Sequence, residues 1–159
     1  MSKNKFFATA TLLTLFGLST ACKVSTPGKL ETNFMRAAKH RAFVGNKEAK
    51  NPKPANAVNI KAGRAAFGHY CVVCHGLDGQ ATGVPFAAKM TPPVPSLASS
   101  DVQSYTDGQL QWIIENGIAP SGMPASKGVL NNDEIWMIVV YLRNLPPAGS
   151  LGEPKIYSQ

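Results

Sequence analysis

Cys71-Val72-Val73-Cys74-His75 reads C-x-x-C-H, the pattern that attaches a c-type haem. Two residues between the thiols set them about one helical turn apart. At that separation both sulfurs reach the vinyl groups of one porphyrin, and the histidine that follows points at its metal. C-x-x-C also occurs in zinc and thioredoxin-like sites. A structural zinc site takes four ligands, usually from a second Cys/His pair. The chain holds three Cys and three His, of which Cys22 and His40 lie far upstream and His69 lies two residues before Cys71. A thioredoxin-like motif would need β-α-β patterning, which the sequence does not offer.

Working outward, residues 60–75 carry Ala62, Ala65, Ala66, Phe67 and Tyr70 on a partly apolar face and read as a helix leading into the motif. Residues 76–105 are rich in Gly and Pro and read as loop. Thr106 or Asp107 is placed to cap a short helix to about Glu115, with Leu110, Ile113 and Ile114 inward and Gly117 ending it. Asn131 or Asn132 is placed to cap a last helix that opens on Asp133-Glu134 and ends at Arg143, before Pro146. Ile135, Ile138, Val139 and Leu142 share one face of it. No strand pattern is convincing, so the expected class is all-α.

Five motifs then follow one another in a recognisable order. They are Gly63-x-x-x-Phe67-x-x-x-Cys71-x-x-Cys74-His75-Gly76, Asp78-Gly79, Pro92-Pro93-Val94-Pro95-Ser96-Leu97, Asn116-Gly117-Ile118-Ala119-Pro120-Ser121-Gly122-Met123-Pro124-Ala125, and Asp133-Glu134-Ile135-Trp136 running on to Tyr141-Leu142. With them, residues 60–145 resemble a class I cytochrome c of the small bacterial monohaem type. The resemblance implies a cytochrome c fold, with helices wrapped around one covalently bound haem c. It also implies that the first and last helices cross, with Gly63 and Phe67 facing Ile138 and Tyr141.

Met123, between Gly122 and Pro124 in a loop, is the expected sixth ligand. A soft, neutral thioether favours ferrous iron, so His75/Met123 ligation raises the potential. Met137 falls inside the last helix, Met90 in the Pro-rich loop and Met35 in a polar stretch, which makes each a weaker candidate. A metal-bound histidine normally donates its other ring N–H to a carbonyl. The resemblance implies one in the Pro92–Pro95 loop, with Pro95 first and Pro93 second. Leu97, Trp112, Ile113 and Tyr141 are candidates for the apolar wall. Trp112 is also able to bond a haem propionate through its indole N–H. His69 reads as a surface histidine.

Beyond the motifs, Lys3 and Lys5 precede an apolar run at residues 6–18, too short for an ordinary membrane span, and Ser19-Thr20-Ala21 supplies small residues for cleavage. Residues 1–21 therefore read as a signal peptide. Cys22 follows directly, and Leu18-Ser19-Thr20-Ala21-Cys22 resembles a bacterial lipobox, with Cys22 the lipidation site. Lipidation would remove the odd thiol left once Cys71 and Cys74 hold haem. The alternatives are a free thiol after soluble export and an uncleaved anchor.

The expected boundaries are a basic tether or extension at 22–58, mostly irregular, a cytochrome c domain at 59–146 and an irregular tail at 147–159. From Lys23 to Arg64 ten Lys/Arg stand against Glu31 and Glu48, a balance of +8, whereas residues 65–149 hold three against six acids, or −3. The basic arm suits an anionic lipid surface, at about 1 kcal/mol per basic residue, an acidic partner, or a plain solvated tether. The resemblance implies export, because c-type haem is attached outside the bacterial cytoplasmic membrane. It places the chain on the periplasmic side of the cell envelope, membrane-anchored through Cys22, and nucleic acid is not an expected partner. The function implied is one-electron transfer between redox partner proteins. The alternative is a fixed cytochrome c subunit of a dehydrogenase or respiratory complex. An enzyme or gas sensor would need an open iron site and an acid-base set that the motifs lack.

Overall fold

The computed structural model describes residues 44–157. The expected signal peptide, Cys22 and most of the basic arm lie outside the described residues.

Helix α1 spans Ala57–Tyr70 and starts where the Asn56 side chain accepts the Asn59 amide. It does not run on to His75. The Cys71 carbonyl accepts from both the Cys74 and the His75 amides, at 3.2 and 2.9 Å, which tightens the turn. The chain resumes as the four-residue α2, Val72–His75, and Gly76 ends it at φ 70°. A jointed entry into the motif replaces the single helix read from periodicity.

The 76–105 stretch is loop apart from a 3-10 turn at Ala87–Lys89 and the short α3, Ser100–Gln103. Helix α4, Asp107–Asn116, opens on a full capping box: Thr106 Oγ1 accepts the Gln109 amide and Gln109 Oε1 accepts the Thr106 amide. Helix α5, Asn132–Leu142, does the same with Asn131 and Glu134, and Asp133 and Glu134 sit favourably at its positive end. Among the described residues β structure is limited to isolated bridges, Ile118 with Met123 and Lys127 with Leu130.

Helix α1 packs chiefly on α5, and α4 packs on α5 from another side. The crossing depends on Gly63, where a Cβ would stand 1.9 Å from the Met137 carbonyl oxygen and 3.0 Å from Tyr141 Cβ. Only a residue without a side chain lets the backbones come this close. Phe67, one turn on, meets the Tyr141 ring at 5.3 Å between centroids. Helix α5 buries Ile135, Trp136 and everything from Ile138 to Leu142, more than the single apolar stripe its pattern gives.

The extra burial has a cause ahead of residue 59. Asn51 Nδ2 donates to the Trp136 carbonyl at 3.0 Å, Lys53 pairs with Asp133 at 2.7 Å, and Asn46 Nδ2 donates to Gln111 Oε1 at 2.7 Å. A Cβ on Gly108 would lie 2.0 Å from the Asn46 carbonyl oxygen. Residues 44–54 are thus packed on α4 and α5, and the folded body begins before the boundary read from composition. Tail residues 147–157 form no helix, yet Pro154 is fully buried. Among the described residues no helix is long and apolar enough to cross a membrane.

Candidate haem site

The break at Cys71 turns the two thiols and His75 toward a cleft. Tyr70, Cys71, Cys74 and His75 from the motif line it together with Ile114 of α4 and Met123, Pro124, Ala125, Ser126, Val129 and Leu130 from the chain that follows α4. The cleft holds about 550 Å³ of empty space, part of it continuous with solvent. Cys71 and Cys74 are both free thiols. Burial, with the neighbouring Cys74 adding to it, pushes the Cys71 thiol up to about 12, so it stays neutral.

His75 is held neutral too. Burial lowers its pKa to about 4, against a smaller upward effect of the Pro95 carbonyl. A neutral imidazole keeps the lone pair that a metal needs. Its Nδ1 is buried and makes no hydrogen bond, and the Pro95 carbonyl is the backbone group that acts on the ring. Phe67 stands beside His75, 6.5 Å between ring centroids, which joins this histidine to the helix crossing through a row of three rings, Tyr141, Phe67 and His75.

Met123 reaches the cleft on a constrained loop. Gly117 ends α4 at φ 69°, and a Cβ there would lie 2.5 Å from the Met123 carbonyl oxygen. The Ile118 amide donates to that carbonyl at 3.0 Å, and the Ser126 amide and hydroxyl both donate to the Ile114 carbonyl. These bonds fold residues 117–126 back against α4. Met90 lies off the cleft wall, although its methyl group would come within 3.7 Å of a Cβ on Gly122. Met137 is half-buried on α5, and His69 is exposed, with its ring beside Tyr70.

The apolar wall differs from the expected one. Ile113 points into the core, and its neighbour Ile114 lines the cleft. Trp112 is half-buried against residue 45, where a Cβ would lie 2.8 Å from its Nε1. Leu97 is half-buried and ties its loop to the proximal side by donating its amide to the Gly79 carbonyl at 2.8 Å. Tyr141 is fully buried and donates its hydroxyl to the Leu77 carbonyl at 3.1 Å. Helical periodicity alone does not separate Ile113 from Ile114, because both are inward. Val129 and Leu130 sit in a stretch with no period at all.

Asp78 is the polar residue that the sequence reading left without a role. Its side chain is wholly buried, sealed by the tail rather than set deep in the core. Burial pushes its pKa up, but the Thr82 hydroxyl and the Gly149 and Gln80 amides outweigh this and hold it below the ordinary carboxylate value.

Two thiols one turn apart, a neutral histidine close to the Pro95 carbonyl, and a thioether lining the same cleft make a donor set that fits a c-type haem. The family described as "Cytochrome C oxidase, cbb3-type, subunit III" matches residues 58–142, more than half of the 159. The chain belongs to this c-type cytochrome family. Like its family, this cytochrome carries covalently bound haem c and is an electron-transfer protein rather than an enzyme. It is also 27% identical over 93 residues to the quinohemoprotein alcohol dehydrogenase ADH IIB of Pseudomonas putida. That match takes in 57% of this cytochrome and 12% of the dehydrogenase, so this chain spans a small part of that protein's length.

Proposed function

We propose that Cys71 and Cys74 hold the haem through thioether bonds and that His75 and Met123 are its two axial ligands, in a one-electron carrier of a bacterial respiratory or related chain. The observation that carries this reading is that Cys71, Cys74, His75 and Met123 line one and the same cleft. When bound, the haem supplies the Fe(II)/Fe(III) couple. The chain's part is to keep His75 neutral, to hold Met123 on a stiffened loop, and to surround both with apolar side chains that limit water. Retaining the same two ligands in both oxidation states keeps reorganisation small. The Pro95 carbonyl orients His75. Leu97 supports the loop that carries that carbonyl, and Ile113 packs in the core beside Ile114 of the cleft.

We place the chain on the periplasmic side of the cell envelope, exported by residues 1–21 and anchored by a lipid on Cys22. Support comes from the apolar run followed by small residues and a cysteine. The basic residues after Cys22 add attraction to an anionic membrane surface. The partial match to a quinohemoprotein dehydrogenase favours a second reading, a cytochrome subunit fixed in a larger oxidoreductase.

Native size separation of mildly solubilised membranes, followed by haem staining, tests both. Haem that runs alone, near the mass of one lipidated chain, supports a tethered carrier. Haem that travels with a large assembly makes the chain a subunit, and haem found only in the soluble fraction removes the anchor. A denaturing gel on the double variant Cys71→Ala/Cys74→Ala tests the attachment, since loss of both thiols must abolish the covalent stain.

A further inference from the structure

The chain after α5 lies past the family match, which ends at residue 142, yet it is fastened at several points to the proximal side of the cleft. The Gly149 amide donates to buried Asp78 Oδ2 at 2.7 Å, and Gln80 Nε2 donates to the Pro146 carbonyl at 3.0 Å. Pro154 is fully buried. Glu153 covers Gly83, where a Cβ would lie 2.4 Å from its Cγ. At the far end the Tyr157 hydroxyl donates to the Val73 carbonyl at 2.5 Å, and its ring stands edge-on to Phe86 at 6.1 Å.

Val73 is the second of the two residues between the cysteines. Helix α2 has only four residues, so its last carbonyls have no following helical turn to bond. The Tyr157 hydroxyl satisfies one of them from outside. The Val73 side chain is itself 45% exposed, so the tail reaches the attachment turn on its solvent side.

We propose that residues 147–157 are a strap that fixes the haem-attachment turn in one orientation, with Tyr157 as its positioning residue. The strap rests on the reading of Cys71 and Cys74 as the attachment sites. Asp78 is its inner fastening and the Val73 carbonyl its outer one. Hydrogen bonding and solvent access around a haem set its potential. The oxidised group carries one more positive charge than the reduced one, so water admitted at the turn favours oxidation.

The test uses the full-length haem-loaded protein, Tyr157→Phe, and a chain ending after Ser150. The first variant keeps the ring against Phe86 and loses only the hydroxyl. The second keeps the Gly149–Asp78 bond and loses the outer fastening. Both are expected to retain covalent haem and to show a lowered midpoint potential, with the larger shift in the shortened chain. The haem-methyl resonances of the ferric protein should move, and the Gly76 amide should exchange about tenfold faster, while α5 amides keep their protection.

A wild-type potential and resonance pattern in Tyr157→Phe overturns the role of Tyr157, whatever the shortened chain does. If the shortened chain fails to fold, Tyr157→Phe alone decides. Wild-type protein without covalent haem overturns the attachment reading as well, and the stain separates that failure from failure of the strap.

Discussion

Gly63 stands so close to Met137 that the smallest side chain would place its carbon 1.9 Å from the Met137 carbonyl oxygen. The obstacle is backbone, which a rotamer change cannot relieve. Gly63→Ala is therefore expected to lower stability by about 3 kcal/mol, and Gly63→Leu to prevent folding. Urea unfolding of the haem-loaded protein measures it. A midpoint equal to the wild type would mean that α1 and α5 do not approach as described.

Met123→Ala should keep the covalent haem, because the two thiols are untouched. Loss of the thioether is expected to lower the midpoint potential on the order of 100 mV and to let carbon monoxide bind the reduced protein. Redox titration and the carbon monoxide difference spectrum check this. An unchanged potential removes Met123 as the ligand and brings Met90, whose methyl group approaches Gly122, back into consideration.

Asp78 gives the domain an acid-sensitive fastening. Its carboxyl pKa is lowered in the folded chain by the Thr82, Gly149 and Gln80 donors, against the upward push of burial. A depressed folded value means that its contribution is present above the unfolded value, about 4, and is lost as pH falls through the lower folded one. Asp78→Ala leaves the three donors without their acceptor and should cost about 3 kcal/mol at neutral pH. Its stability should also fall less steeply than wild type below about pH 4. Thermal unfolding of both proteins between neutral and acid pH reads the difference.

Arg143 closes the C-terminal end of α5. Its Nε donates to Asp107 at 2.9 Å, and its terminal nitrogens donate to the Gln103 carbonyl, the Gln103 side chain and the Tyr105 carbonyl. Arg143→Ala should cost about 2 kcal/mol, and Arg143→Lys should restore only part of it, since an ammonium lacks the planar fork. Chemical denaturation of the pair of variants is the measurement.

Cys22→Ser should release the cytochrome from the membrane fraction if that thiol carries the lipid. Fractionation with haem staining reads it directly. A variant whose mass differs from that of the wild type only by the substituted atom removes Cys22 as the lipidation site.

The elements and their ends were largely legible in the sequence because they rest on local chemistry. Thr106 with Gln109, Asn131 with Glu134 and Gly117 each announce a helix end within a few residues. The joint at Cys71 was hidden, because periodicity continues across it and only the shared Cys71 carbonyl marks the break. The cysteines, His75 and Met123 stood out by residue type and spacing, and the structure gathers all four on one cleft. The rest of the wall did not stand out. Whether Ile113 or Ile114 faces the cleft is settled by how α4 is rotated against α5, and the choice of Val129 and Leu130 by how an aperiodic loop folds back. The role of Asp78 is not legible in the sequence, because one of its donors comes from as far along the chain as Gly149. The packing of residues 44–54 was masked by a composition that reads as tether.

The contact between Gly63 and Met137 joins positions 74 residues apart in the chain, and nearly everything that forms the cleft lies between them. A contact of such long range carries the cost of closing a large loop. A chain still being made would expose Cys71, Cys74 and His75 before α5 exists to cover Phe67 behind them. The attachment segment is therefore open to whatever chemistry installs the cofactor while the protein is only half made. Arrival of the last helix then shuts that period and turns an accessible pair of thiols into an enclosed redox centre.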